Sequence, residues 1–136
     1  MSDRAIVLRN ACIKLLSATE ADPEKSHQHE FNGVAQLEQI FGEDSFEREA
    51  VFSLRGEAIT DRAKVTWYDA RRKHPTRSEH RLYFRENKVM ARAHEGDNIL
   101  IGFDNANELH CVLIPSGASG HRNDVSGWEV TADVNV

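Results

Sequence analysis

Hydrophobic and polar positions alternate with a period of two over several stretches of the chain. Because successive side chains of a strand point to opposite faces of a sheet, these stretches are predicted strands. The clearest alternating apolar positions are Ala50, Phe52 and Leu54, then Ala63, Val65 and Trp67. Two short apolar strands are predicted at 99–103 and 108–114. Each follows a polar turn, at 95–98 and 104–107 respectively. The final stretch, 128–136, puts Trp128 and Val130 on one apolar face, as in a half-buried antiparallel strand.

Apolar positions three and four residues apart identify one clear helix. They are Val34, Leu37, Ile40 and Phe41, followed by Gly42 as a C-terminal stop. Residues 5–18 are apolar enough to be buried, and we interpret them as a brief helix or turn followed by a strand at 12–16. Residues 19–32 are polar and are predicted to form a long exposed loop.

These elements predict a mainly β protein with one or two short helices. Six or seven short strands separated by turns are typical of a barrel or sandwich, and they disfavour a parallel α/β fold. The length of 136 residues fits one domain with a single core. The last predicted strand runs to Val136 with no polar tail, which suggests a domain cut from a longer protein.

Composition excludes several classes of protein. No apolar run approaches the ~20 residues of a membrane span, and residues 1–4 lack the apolar region of a signal peptide, so we expect a cytoplasmic location and no membrane partner. Cys12 and Cys111 are too few for a disulfide framework and are expected to be small core residues.

Charge is distributed unevenly. Residues 71–92 contain six arginines and two lysines against two glutamates, a local charge of +6, whereas the other 114 residues carry nine basic and 20 acidic groups. Because salt screens charges beyond about 8–10 Å, this local excess decides the field nearby more than the net charge of −5 does. The segment is therefore a candidate for binding nucleic acid, although a solvated strand face explains a charge run equally well.

The basic segment also contains an alternation. If residues 76–85 are extended, Arg77, Glu79 and Arg81 share one face and His80 lies on the other. Such a row suits the edges of G·C pairs, because guanidinium donates two hydrogen bonds to guanine and a carboxylate accepts one from cytosine.

Catalytic motifs are scarce. The chain has no phosphate-binding glycine loop, no nucleophile elbow and no Cys-x-x-Cys. Glu86 and Lys88 form one Glu-x-Lys match of the kind that holds Mg²⁺ in restriction-type nucleases, which leaves a small Mg²⁺-dependent nuclease as an alternative. His27 and His29 could bind a metal ion, but no third ligand lies at a familiar spacing, so no metal or other cofactor is expected.

Several strings of residues together resemble a known family. The most specific is Tyr-x-x-Arg followed by Thr-Arg-x-Glu-x-Arg, which occupies 68–71 and 76–81. The others are Ile-Lys-Leu-Leu-Ser-Ala at 13–18, His-Gln at 27–28, Gln-Leu-Glu-Gln-Ile-Phe at 36–41 and Ala-Lys-Val-Thr-Trp at 63–67. In order and spacing these strings resemble the N-terminal effector domain of EcoRII-type restriction endonucleases over about residues 12–114.

The resemblance implies a B3-like pseudobarrel that grips double-stranded DNA in the major groove with two arms. It places Lys14, His27 and Gln28 in the N-arm and residues 71–81 in the C-arm. Base reading is expected from Arg71, Arg77, Glu79 and Arg81 with His27 and Gln28, and phosphate contacts from Lys14, Arg72 and Lys73, with His80 a further contact. Pro75 and His80 depart from the family, which has lysines there.

The resemblance further implies a non-catalytic, regulatory domain of a type II restriction endonuclease, whose separate nuclease domain would use Mg²⁺. The expected target is 5′-CCWGG, or a related C- and G-rich site, bound by one copy of the domain. An acidic protein-interaction module remains an alternative, because the chain outside residues 71–92 carries a charge of −11.

Overall fold

Nine β-strands account for about half of the residues that the computed structural model describes, which are 7–21, 30–32, 35–70, 79–125, 127–131 and 134–135. The strands are β1 (Val7–Leu15), β2 (Glu30–Asn32), β3 (Phe46–Leu54), β4 (Ile59–Asp69), β5 (His80–Phe84), β6 (Asn98–Phe103), β7 (Leu109–Ile114), β8 (Glu129–Thr131) and β9 (Val134–Asn135). Two short helices, α1 (Ala18–Ala21) and α2 (Ala35–Phe41), and a 3-10 helix, Met90–Arg92, complete the described elements. None of the helices in these ranges is long and apolar enough to cross a membrane.

The strands form one curled sheet in the order β2-β5-β4-β3-β7-β6-β1-β8, with β9 also paired to β1. All pairs are antiparallel except β3 with β7, which is parallel. The curl brings the two edges together, since Phe31 of β2 packs edge-on against Trp128, the residue before β8, with ring centroids 5.8 Å apart. The sheet is a half-barrel, which confirms the predicted mainly β pseudobarrel.

The predicted strands of the hairpin β3–β4 are confirmed and extend further than expected. The two strands pair from Phe46 opposite Trp67 to Leu54 opposite Ile59. Their predicted apolar face is buried in the main core, which also receives Leu37 from α2. The helix is confirmed as Ala35–Phe41, while Val34 lies outside the described residues.

Strand β1 corrects the prediction of a helix or turn before a strand at 12–16, because it is extended from Val7 onward. A register shift between Arg9 and Cys12 interrupts its pairing with β6. The irregularity puts Leu8, Ala11 and Ile13 in one small core cluster and Cys12 in the main core. Buried residues three positions apart, such as Leu8 and Ala11, are typical of a helix, but a bulge can produce the same spacing in a strand.

Gly102 of β6 lies against this bulge with no room for a side chain. A Cβ added there would lie 2.9 Å from the Cβ of Ala11 and 3.3 Å from that of Leu8. Because extra atoms in a packed core force strands apart, Gly102→Ala is expected to reduce the free energy of unfolding by about 1–3 kcal/mol, measured by urea denaturation. The double variant Gly102→Ala/Ala11→Gly should lose less than the sum of the two single variants. Additive losses would contradict the proposed steric conflict.

Two further expectations need correction. The stretch predicted as a loop at 19–32 contains α1 and strand β2, in which Phe31 is buried. In the last predicted strand, Val130 is expected on the buried face, but it is 46% exposed although it pairs with Cys12. The reason is that β8 is the edge of the sheet, where neighbours cover a residue from one side only.

Candidate nucleic-acid interface

Residues 71–78, the first part of the basic segment, connect β4 to β5, and the residues on either side of them are hydrogen-bonded to each other. The Glu79 amide donates to Asp69 Oδ1 at 2.8 Å, and the Ala70 amide donates to the Glu79 carbonyl oxygen at 2.7 Å. Residues 71–78 are thus connected at both ends to a fixed point of the sheet. Four predicted DNA contacts, Arg71, Arg72, Lys73 and Arg77, lie in this segment, outside the described residues.

The predicted N-arm residues His27 and Gln28 also lie outside the described residues, in the segment 22–29. That segment leads directly into β2, which pairs with β5 through Glu30 opposite Tyr83 and Asn32 opposite Arg81. The two segments that carry most predicted contacts therefore end at neighbouring strands. The first described residues after them, Glu30 and Glu79, are both acidic.

Arg81 connects these two acidic residues. Its Nε donates to Glu79 Oε2 at 3.0 Å and its Nη2 donates to the same oxygen at 2.5 Å, while its Nη1 lies 3.6 Å from Glu30 Oε1. The hydrogen bonds to Glu79 are the main reason why the pKa of the Arg81 guanidinium lies above its usual value. Arg81 is cationic and has a fixed orientation at the base of the basic segment.

Glu30 uses its second carboxylate oxygen, Oε2, to accept a hydrogen bond from the Tyr68 hydroxyl of β4. Burial first, and then the hydrogen bond and the charge of Glu30, raise the pKa of Tyr68. The phenol therefore stays protonated and remains a donor to Glu30 at neutral pH. The Glu30 side chain is only 13% exposed, so its carboxylate is surrounded mainly by protein groups and not by solvent. Tyr68, Glu30, Arg81 and Glu79 form one polar network, which we call the arm-base network.

The geometry leaves part of the Arg81 guanidinium available. Glu79 accepts from Nε and from one N–H of Nη2, and Glu30 faces Nη1 at 3.6 Å without a hydrogen bond, so the N–H groups at the Nη1–Nη2 end can still be donated to a ligand. Two donors at that end match guanine O6 and N7. The side chain is 32% exposed, so a ligand can reach it.

His80, predicted to contact DNA, points into the core instead and is 4% exposed. Its ring stacks on Trp67 at 4.9 Å, its Nδ1 lies 3.1 Å from Glu38 Oε1, and its Nε2 lies 2.9 Å from the Glu43 carbonyl oxygen. Strand alternation explains this, because Glu79 and Arg81 occupy the other face. In this arrangement His80 fixes the first residue of β5 against α2 and leaves no surface for a direct DNA contact.

Lys14, the last predicted contact among the described residues, lies in β1 opposite Ile99 and is half-buried. In the sheet order, four strands separate β1 from β5. The contact of Phe31 with Trp128 nevertheless brings β2, the neighbour of β5, close to β8, the neighbour of β1. Lys14 thus lies on the side of the half-barrel formed by β1 and β8, which approaches β2 where the two edges of the sheet meet.

The outer face of β4 and β5 continues away from the arm-base network. It presents exposed Tyr83 of β5 and, directly after that strand, exposed Arg85. On β4 the cations are paired, Lys64 with Glu47 at 3.3 Å and Arg62 with Glu49 and Glu108 at 3.1 and 2.9 Å. The cations of β4 are therefore neutralised by carboxylates on the side toward β3.

Asp104, Glu108 and His110 form the one cluster in the described part of the chain with three metal-ligand atoms within 4.8 Å of one another. Each of these three side chains already has a partner in the protein. The Asp104 carboxylate accepts the amides of Ala106 and Glu108 and contacts His110 Nε2 at 2.9 Å, and Glu108 is paired with Arg62. These contacts explain the cluster as a turn that is held in place by side chains.

Glu30 is the residue that sequence reasoning missed. It lies at the end of a polar stretch with no alternation to indicate a strand, and β2 is only three residues long. Tyr68 was part of the family-like string, but its partner was not. The available signal was Phe31, a large apolar residue between polar neighbours, which is typical of a short strand with one buried side chain.

The sequence of this protein matches no protein-family model, and it has no significant match among curated proteins. Its function is therefore inferred from the chemistry of its residues, from the placement of the arm-base network and from the resemblance of its sequence strings to the family named above.

Proposed function

We propose that this protein binds double-stranded DNA sequence-specifically in the major groove, through residues 22–29 and 71–81, with 5′-CCWGG as its target. The observation that carries the proposal is the arm-base network. Arg81 is half-buried but accessible at 32% exposure, it follows a segment, 71–78, with four Arg or Lys residues in eight positions, and Glu79 fixes its orientation. Fixed Arg and Glu side chains are suited to reading base edges.

The remaining basic residues have a different role in this proposal. Arg72 and Lys73, with Lys14, contact phosphates, which gives affinity and register without sequence information. Arg71, Arg77, Glu79 and Arg81, with His27 and Gln28, read bases. His80 is a positioning residue in this scheme rather than a contact.

The same proposal includes a biological role. The domain acts as the effector part of a type II restriction endonuclease, in which it binds one copy of the target and controls cleavage of another by a separate Mg²⁺-dependent nuclease domain. The support is the family-like element at 68–71 and 76–81. A domain that serves this role needs no catalytic residues of its own.

The proposal is tested by a fluorescence anisotropy titration at about 0.15 M salt with a 5′-CCWGG duplex and a scrambled duplex of equal composition. We expect a preference for the first of about 10³-fold or more, as is typical of specific binding. Equal weak binding to both would retain DNA as the partner but exclude 5′-CCWGG. No binding to either would favour the protein-interaction module.

A further inference from the structure

We infer that Glu30 is a specificity-determining residue that restrains Arg81. This inference rests on the proposed function and concerns the same interface. Glu30 directly follows segment 22–29, whereas Arg81 lies three residues after segment 71–78, and their ion pair bridges β2 and β5.

The contacts of Glu30 restrict its carboxylate from two sides. Its Oε1 faces Arg81 Nη1 at 3.6 Å, and its Oε2 accepts the Tyr68 hydroxyl. Tyr68 and Arg81 are directly opposite each other on β4 and β5, so the three side chains cover one patch on three adjacent strands. The carboxylate is thus held by groups that the sheet itself positions.

A carboxylate at this point works against affinity for DNA in general. Negative charge next to a phosphate-binding surface repels the backbone of any sequence, and it holds Arg81 away from phosphates. The cost falls equally on all DNA, whereas a guanidinium aimed at a base edge benefits only the correct sequence. Specificity follows because this general repulsion is offset only where the fixed guanidinium meets its correct base.

The test compares the wild-type protein with Glu30→Gln, which keeps the shape and removes the charge. Affinity for the scrambled duplex should rise about three- to tenfold while affinity for the 5′-CCWGG duplex does not rise, so the ratio of specific to non-specific affinity should fall by at least about threefold. If Arg81 then binds a phosphate, the slope of log K against log salt for the scrambled duplex should steepen by about 0.9.

Two further variants make the result decisive. Glu57→Gln removes a carboxylate that is paired with Arg92 and lies in the turn between β3 and β4, far from the arm base, and it should leave the ratio unchanged. Tyr68→Phe removes the hydrogen bond to Glu30 and should change the ratio in the same direction as Glu30→Gln, by less. It also provides the test if Glu30→Gln does not fold.

The outcomes separate this inference from the proposed function. If the wild-type protein prefers 5′-CCWGG but Glu30→Gln lowers both affinities equally or leaves the ratio unchanged, Glu30 is a structural residue only and the inference is wrong. An unfolded Glu30→Gln together with a neutral Tyr68→Phe overturns it as well. If the wild-type protein shows no sequence preference, the proposed function and the inference both fail.

Discussion

Arg81→Ala is expected to weaken binding to the 5′-CCWGG duplex by about 1–3 kcal/mol, or about 5- to 150-fold, while binding to a scrambled duplex changes much less. The variant removes the two donors that the Nη1 and Nη2 end offers to guanine. It also leaves Glu79 and Glu30 without their shared cation, which weakens binding to every duplex and accounts for the smaller change with the scrambled one. Anisotropy titrations with duplexes altered at each G·C pair should show that discrimination is lost at one pair.

Arg62→Ala is the matched control for this experiment. Arg62 is also paired with two carboxylates, Glu49 and Glu108, and lies on the neighbouring strand β4, but near its opposite end. The substitution makes the same change in net charge, and we expect it to leave discrimination between duplexes intact. Lys73→Ala should weaken binding to all duplexes alike, with a smaller salt dependence. If all three variants weakened every duplex equally, the base-reading role of Arg81 would be wrong.

Trp67→Ala is expected to have the largest effect on stability, a loss of about 3–5 kcal/mol in the free energy of unfolding. The indole is fully buried, donates from Nε1 to the Gly42 carbonyl oxygen at 3.0 Å, and packs against Phe41 with ring centroids 5.0 Å apart. It also supports His80, so its removal leaves a cavity directly beneath the first residue of β5. Urea denaturation followed by circular dichroism measures the loss.

Two other variants show how much of this effect belongs to packing. Trp67→Phe keeps an aromatic ring but leaves the Gly42 carbonyl oxygen without its donor, so we expect an intermediate loss. Tyr83→Ala removes an aromatic ring of β5 that is exposed and should cost less than about 1 kcal/mol. A loss for Trp67→Ala no greater than that for Tyr83→Ala would contradict the central place of Trp67 in the core.

The elements that could be predicted from sequence are those whose burial follows one regular period. Strands β3 and β4 are long and face the core on one side only, so their alternation is visible. Helix α2 likewise shows one apolar face. Strands β6 and β7 are buried on both faces, and their continuous apolar runs are recognised by length and by the turns around them.

The elements that sequence missed depend on contacts with distant parts of the chain. The bulge of β1 changes which residues face the core, and Gly102 on another strand makes room for it. Strand β2 exists because β5 lies beside it, and three residues are too few to show a period. The prediction that His80 contacts DNA follows family position, whereas strand alternation places the residue on the apolar face, where its side chain is buried.

The placement of β1 has a consequence for how the protein is made. Ile13 pairs with Leu100 on one side and with Glu129 on the other, so its partners are synthesised long after it. At about 5–20 residues per second, the ribosome takes several seconds to produce the chain between them. During that time the apolar residues of β1 have no strand to pair with. The half-barrel therefore closes only as its last strands leave the ribosome, and its high share of distant pairings predicts slow folding for a domain of this size.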